Sequence, residues 1–238
     1  MIPLRDINPV RTVPLITILI IVANAAVFLY ELSLGRRLDA FINLYGTVPC
    51  EITLECPIPA RLNIPVWATI FTSMFMHGGW LHIAGNMLYL WVFGDNVEDN
   101  FGHGKFVIFY LICGLAASFA QIAVDPSSPI PSLGASGAIA GVLGAYIVMF
   151  PHNRVRNLVT LGFFITTIEL PALVVIGFWI VLQIISQYTA SFSHTASSGG
   201  VAYMAHIGGF VAGLLLSFVF RSRRTRGHQP PFYDPYER

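Results

Sequence analysis

The chain has 238 residues, 55% hydrophobic and 11% charged, with a mean hydropathy of +0.69. Soluble domains run near a quarter charged, so a large soluble catalytic domain is excluded and the length suits about six helical membrane crossings of roughly 20 residues. Thirteen Lys and Arg against twelve Asp and Glu leave a net charge of +1, without the broad basic field of a nucleic-acid binder.

In chain order, residues 1–13 form a short N-terminal segment, and the first apolar stretch covers 14–30. That stretch is long, lacks a small-residue cleavage site and leads into further spans, so it reads as a membrane helix rather than a cleaved signal peptide. A mixed loop follows over 32–78, with Leu44, Ile64 and Trp67 scattered among Pro and Glu, a composition that suits a loop lying partly in the interface. The three cysteines are too few for a disulfide framework or a Cys-rich metal centre; Cys50 and Cys56 share this loop and allow at most one disulfide.

Five more apolar stretches follow, over 80–97, 106–124, 133–150, 170–189 and 200–220. The third, fourth and fifth of the six hold no Asp, Glu, Lys or Arg, as expected when a mid-membrane charge costs about 2.5–3.5 kcal/mol even on lenient scales. Before the fifth stretch, Thr166 and Glu169 have capping-box spacing and Pro171 suits a first helical turn, which predicts a helix starting near 168 with Glu169 at its N-terminus. A basic, Pro-rich tail closes the chain over 221–238.

The expected fold is therefore an all-α membrane protein, a six-helix bundle over 14–220. Six crossings put both termini on one side. With the termini inside, Arg5, Arg11, Lys105, Arg154, Arg156, Arg221, Arg223, Arg224, Arg226 and Arg238 are internal, and only Arg36, Arg37 and Arg61 are external. The positive-inside rule then makes the termini cytoplasmic and the 32–78 loop external.

Polar side chains inside spans either bond between helices or do chemistry, because an unpaired polar group in hydrocarbon is costly. His82 and Asn86 lie four residues apart on the second stretch and share a helix face. Ser136 sits in Gly134-Ala135-Ser136-Gly137 on the fourth, and His206 sits in Ala205-His206-Ile207-Gly208-Gly209 on the sixth. Counted from stretch starts near 80, 133 and 200, His82, Ser136 and His206 lie roughly 3 to 9 Å deep at 1.5 Å per residue, a common level near the outer face.

Packing supports their convergence. Ala202, His206, Gly209 and Gly213 make a small-residue stripe with the imidazole set into it, and Gly137, Gly141 and Gly144 make a matching stripe beside Ser136. Two such faces let helix backbones come close enough for a short serine hydroxyl to reach an imidazole nitrogen. A Gly/Ala/Ser stretch is by itself most often a packing face, and His82 with Asn86 is by itself most often an interhelical hydrogen bond. Together they form acyl-transfer equipment: Ser136 as nucleophile, His206 as general base, and His82, Asn86 and the Ser136 backbone N–H as donors to a developing oxyanion. No carboxylate lies nearby to orient His206, so a Ser-His dyad is expected rather than a triad.

These motifs resemble the rhomboid family of intramembrane serine proteases. Gly134-Ala135-Ser136-Gly137 is similar to the family's Gly-x-Ser-Gly. His82 through Asn86 matches its His-x-x-x-Asn, with His77 where a preceding histidine often stands. Ala205-His206 through Gly209 and Gly213 matches its last-span pattern, so the likeness covers about 66 to 217. The resemblance implies a short helix carrying Ser136, a gate and cap formed by the fifth helix and the 190–199 loop, and membrane-protein substrates, single-span or multi-span, cut within the lipid bilayer. It implies no metal, cofactor or nucleic acid, and the compact form resembles prokaryotic plasma-membrane members. Two departures stand out: Trp67-Ala68 replaces a common Trp-Arg pair, and Ala140 replaces a Tyr that often stacks under the histidine. Gln121 and Ser73 are candidates to relay water, or plain helix-end polar groups.

Metal-dependent intramembrane proteases need His-Glu-x-x-His and aspartyl ones need two span carboxylates, and neither pattern fits. A channel or transporter would spread polar residues through the membrane thickness. The remaining alternative is a catalytically inactive rhomboid-like scaffold or chaperone that binds transmembrane helices.

Overall fold

The computed structural model describes residues 2–56, 64–161, 164–192 and 201–221. The 190–199 connection lies mostly, and the tail beyond Arg221 wholly, outside them. Strand β1 (Ile2–Asp6) leads into helix α1 (Leu15–Ser33), followed by α2 (Leu38–Tyr45) and the single turns α3 (Pro49–Ile52) and α4 (Thr69–Thr72). Helices α5 (Trp80–Phe101), α6 (His103–Val124) and α7 (Ser136–Met149) follow, then strands β2 (Arg154–Leu161) and β3 (Phe164–Pro171), and helices α8 (Ala172–Phe192) and α9 (Tyr203–Phe220). The fold is mostly helical, and each of the six predicted stretches holds one helix.

Four of these helices, α1, α6, α8 and α9, are long and apolar enough to cross a membrane. Helix α5 has 22 residues but carries Asp95, Glu98 and Asp99 near its C-terminus, and the N-terminal segment explains why they are tolerated. Helix α1 starts after Pro14 with no side-chain cap of its own. Fully buried Glu98 supplies one, accepting the Ile16 and Thr17 N–H groups at 2.8 Å each and the Thr17 hydroxyl at 2.7 Å, so an anion meets the positive end of a helix. Asp99 likewise accepts the Thr12 N–H and hydroxyl at 3.0 and 2.7 Å.

Helix α7 is the core of the bundle. Every residue from Gly137 to Tyr146 is buried, and its 14 residues span only about 21 Å. Its glycine stripe meets that of α9 as the sequence predicts: a Cβ on Gly209 or Gly213 would overlap the carbonyl oxygen of Gly137 or Gly141. Helix α8 is the least embedded of the four long apolar helices, with 17% of its most apolar window buried against 33% in α6.

The sheet was not predicted. β1, β2 and β3 form an antiparallel sheet in that order, with Asp6 opposite Val155 and Arg156 opposite Glu169. This corrects the capping-box reading. Thr166 and Glu169 belong to a strand, the helix begins at Ala172, and Glu169 accepts the Arg156 guanidinium across the strands at 2.9 Å. The 154–161 and 164–170 segments are rich in β-branched residues and bond each other along their whole length, which outweighs a local capping signal.

The 32–78 loop anchors the segment that leads into α7. Thr47 and Ser132 exchange backbone hydrogen bonds at 3.0 and 2.7 Å, the Thr47 and Ser73 hydroxyls bond at 2.9 Å, and the Ser73 carbonyl accepts the Gly134 N–H at 2.8 Å. These contacts tie the loop down while Trp67 stays largely exposed. Cys50 and Cys56 are disulfide-bonded.

Candidate active site

Gly134 has φ +129°, a conformation that L side chains rarely adopt. A Cβ there would also lie 2.9 Å from His82 Nε2. This turn sets Ser136 as the first residue of α7, where backbone N–H groups have no partner within the helix. His82 is the third residue of α5 and His206 the fourth of α9, so all three occupy the first turn of their helices, as the depth argument expects.

Ser136 and His206 meet: His206 Nε2 and Ser136 Oγ are 2.7 Å apart. His82 Nδ1 accepts the Gly78 N–H at 3.3 Å, which leaves the ring proton on Nε2, the nitrogen that faces Gly134. Asn86 is engaged elsewhere, its Nδ2 lying 2.9 Å from His77 Nε2. Burial, with the neighbouring His82 second, pushes His77 down to about 4, so at neutral pH its Nε2 is a lone pair that accepts an Asn86 amide hydrogen. The other Asn86 amide hydrogen is left for a further acceptor. His77 is held in turn through its N–H, which donates to buried Glu31 at 3.2 Å.

The structure adds two residues that the sequence reading missed. Gln183 Oε1 on α8 lies 2.7 Å from His206 Nδ1, and the Trp179 ring sits 5.7 Å from the imidazole, tilted by 37°. The aromatic neighbour thus comes from α8, while Ala140 on α7 is fully buried. The available signal was an amide and an indole one helical turn apart, Trp179 and Gln183, with Gln187 a further turn on. Gln121 has a helix-end role, its Oε1 accepting the Ala205 N–H at 3.3 Å. Ser73 belongs to the loop anchor and also lines, with Gly134, Ser136 and Ala205, a small cavity beside Ser136. An alcohol, a neutral imidazole acceptor and nearby N–H donors are the components of acyl transfer.

The Rhomboid domain family profile matches residues 65–223, which contain all of these groups. The chain belongs to the rhomboid family. It is 35% identical over 147 residues to the rhomboid protease GluP of Bacillus subtilis, covering 62% of this chain and 25% of that protein. It is 31% identical over 166 residues to RHOMBOID-like protein 5 of Arabidopsis thaliana, covering 70% of this chain and 48% of that one. With Rhomboid protein 1, mitochondrial, of Saccharomyces cerevisiae it shares 30% identity over 156 residues, covering 62% and 40%. The chain thus spans a quarter to a half of the length of these relatives. This rhomboid is an integral membrane protein of an intramembrane protease family.

Proposed function

We propose that this rhomboid is an intramembrane serine endopeptidase that hydrolyses peptide bonds in or near transmembrane segments of other membrane proteins. The observation that carries the reading is the 2.7 Å approach of Ser136 Oγ to His206 Nε2. In the first step Ser136 Oγ bonds to the scissile carbonyl carbon as its proton passes to Nε2. The carbonyl oxygen becomes an oxyanion facing the Ser136 N–H, the His82 Nε2–H and the free Asn86 amide hydrogen. The C–N bond then breaks, the leaving amine takes the proton from Nε2, and an acyl-enzyme remains. Water attacks the ester as Nε2 takes its proton, the Oγ–acyl bond breaks, and the proton returns to Ser136.

Six crossings with cytoplasmic termini suit the Lys and Arg distribution, the compact six-span form suits a prokaryotic plasma membrane, and the pair then opens toward the outer side. Substrate helices reach it laterally between α5 and α8 and unwind before cleavage, since an intact helix hides its carbonyls.

Purified Ser136→Ala and His206→Ala proteins are expected to lose cleavage of a single-span substrate in liposomes and to keep the wild-type melting temperature. A fluorophosphonate is expected to label wild type at Ser136 and to spare His206→Ala. Cleavage by Ser136→Ala protein refutes the assignment, and wild type that neither cleaves nor labels supports the inactive helix-binding scaffold instead.

A further inference from the structure

We propose that Gln183 is a positioning residue for the reaction, fixing the tautomer and orientation of the His206 imidazole; this rests on the Ser-His reading above. A neutral imidazole carries one ring proton and one lone pair. With Gln183 Oε1 at 2.7 Å from Nδ1, the favoured tautomer has its proton on Nδ1, because the alternative sets two lone pairs against each other. The Nε2 lone pair then faces the Ser136 hydroxyl at 2.7 Å, the arrangement that proton abstraction requires.

When Nε2 takes the serine proton, the Nδ1–H bond to the amide oxygen is kept and strengthened, since the donor becomes cationic. Gln183 thus does the orienting that an aspartate does in a triad, without adding a charge to the membrane interior. Among the described residues no other side chain bonds Nδ1, and Trp179, one turn away on α8, flanks the same ring. Helix α8 therefore carries both restraints on the base while supplying neither reacting atom.

The test uses the full chain in detergent with Gln183→Met, which keeps bulk and removes the acceptor, and Gln183→Glu, which keeps the acceptor and adds charge. Losing one hydrogen bond worth about 1 kcal/mol should slow fluorophosphonate labelling of Ser136 in Gln183→Met by roughly fivefold or more, with kcat falling, KM unchanged and the melting temperature retained. Gln183→Glu should restore labelling and move the acid limb of kcat/KM to higher pH, because a carboxylate favours the imidazolium.

The tautomer is read without activity in Ser136→Ala protein, from imidazole 15N resonances assigned by comparison with His206→Ala. Nδ1–H is expected with Gln183 and a tautomer mixture with Met. An unchanged 15N spectrum in Gln183→Met, or wild-type labelling by it, overturns the positioning role. So does equal loss in the Met and Glu variants accompanied by a lowered melting temperature. A Gln183-dependent tautomer in a wild-type protein that never labels upholds the positioning role and overturns only the protease reading.

Discussion

Helix α5 carries polar clusters at both ends, and the two are satisfied in opposite ways. At the sheet end, Glu98 accepts two backbone N–H groups and a hydroxyl and also contacts His103 Nδ1 at 2.5 Å. There Asn96 donates to Asp6 at 2.7 Å and bonds Asn8, and the Tyr146 hydroxyl donates to Asp6 at 2.8 Å. At the other end, His82 Nε2 and the second Asn86 amide hydrogen have no partner among the described residues, and His82 Nε2 stands beside Gly134 in the turn before Ser136. Buried polar groups are normally paired because an unpaired one costs about 1–3 kcal/mol. The saturated end holds the fold together, and under the proposed mechanism the unsaturated end keeps donors for a charge that appears during reaction.

The contrast is broken most sharply by exchanging its consequences. His82→Ala removes a donor from the unsaturated end and should lower kcat by about 10²–10³. The melting temperature should stay near wild type, because the half-buried ring gives up one 3.3 Å bond from the Gly78 N–H and an edge contact with His77. Glu98→Ala does the reverse. It strands the Ile16 and Thr17 N–H groups and the Thr17 hydroxyl and should cost about 2–3 kcal/mol of stability, read as a lower melting temperature, with kcat retained by the protein that remains folded. A Glu98→Ala protein that melts like wild type while losing kcat would abolish the distinction.

The sequence made one side of this contrast legible. Hydropathy located each of the six helical stretches, and helical spacing of small residues brought Ser136 and His206 together, because glycines at 209 and 213 have no use on an open lipid face. The sheet stayed hidden: Thr166 to Pro171 satisfies a local capping pattern, and only the distant partner strand decides against it. Gln183 stayed hidden for a related reason. Gln183 and Gln187 both lie in the fifth apolar stretch, and their spacing does not say which of them meets a partner; the rotation of α8 against α9 is set by packing rather than by either helix alone. The role of Asn86 was half legible, since its bond to His77 depends on how the loop before α5 folds back.

The subtlest consequence of the saturated end is its response to pH. Burial, with the charge of Asp95 second, raises the Asp6 carboxyl from 3.8 to about 7, although the Tyr146 hydroxyl works against the shift. Between about pH 4 and 7 the folded protein therefore holds a proton on Asp6 that the unfolded chain has released. Stability from this group is full below the unfolded value, declines as pH rises through that window, and levels off above 7, where an ionised carboxylate must stay buried. Asp6→Asn keeps an oxygen to accept from Tyr146 and Asn96 but cannot ionise. Its melting temperature should match wild type near pH 4 and exceed it at pH 8, with Asp95 common to both proteins. A difference of the same size at both pH values would mean that Asp6 stays charged throughout, held ionised by its Tyr146 and Asn96 donors, and would overturn the pH response assigned to it.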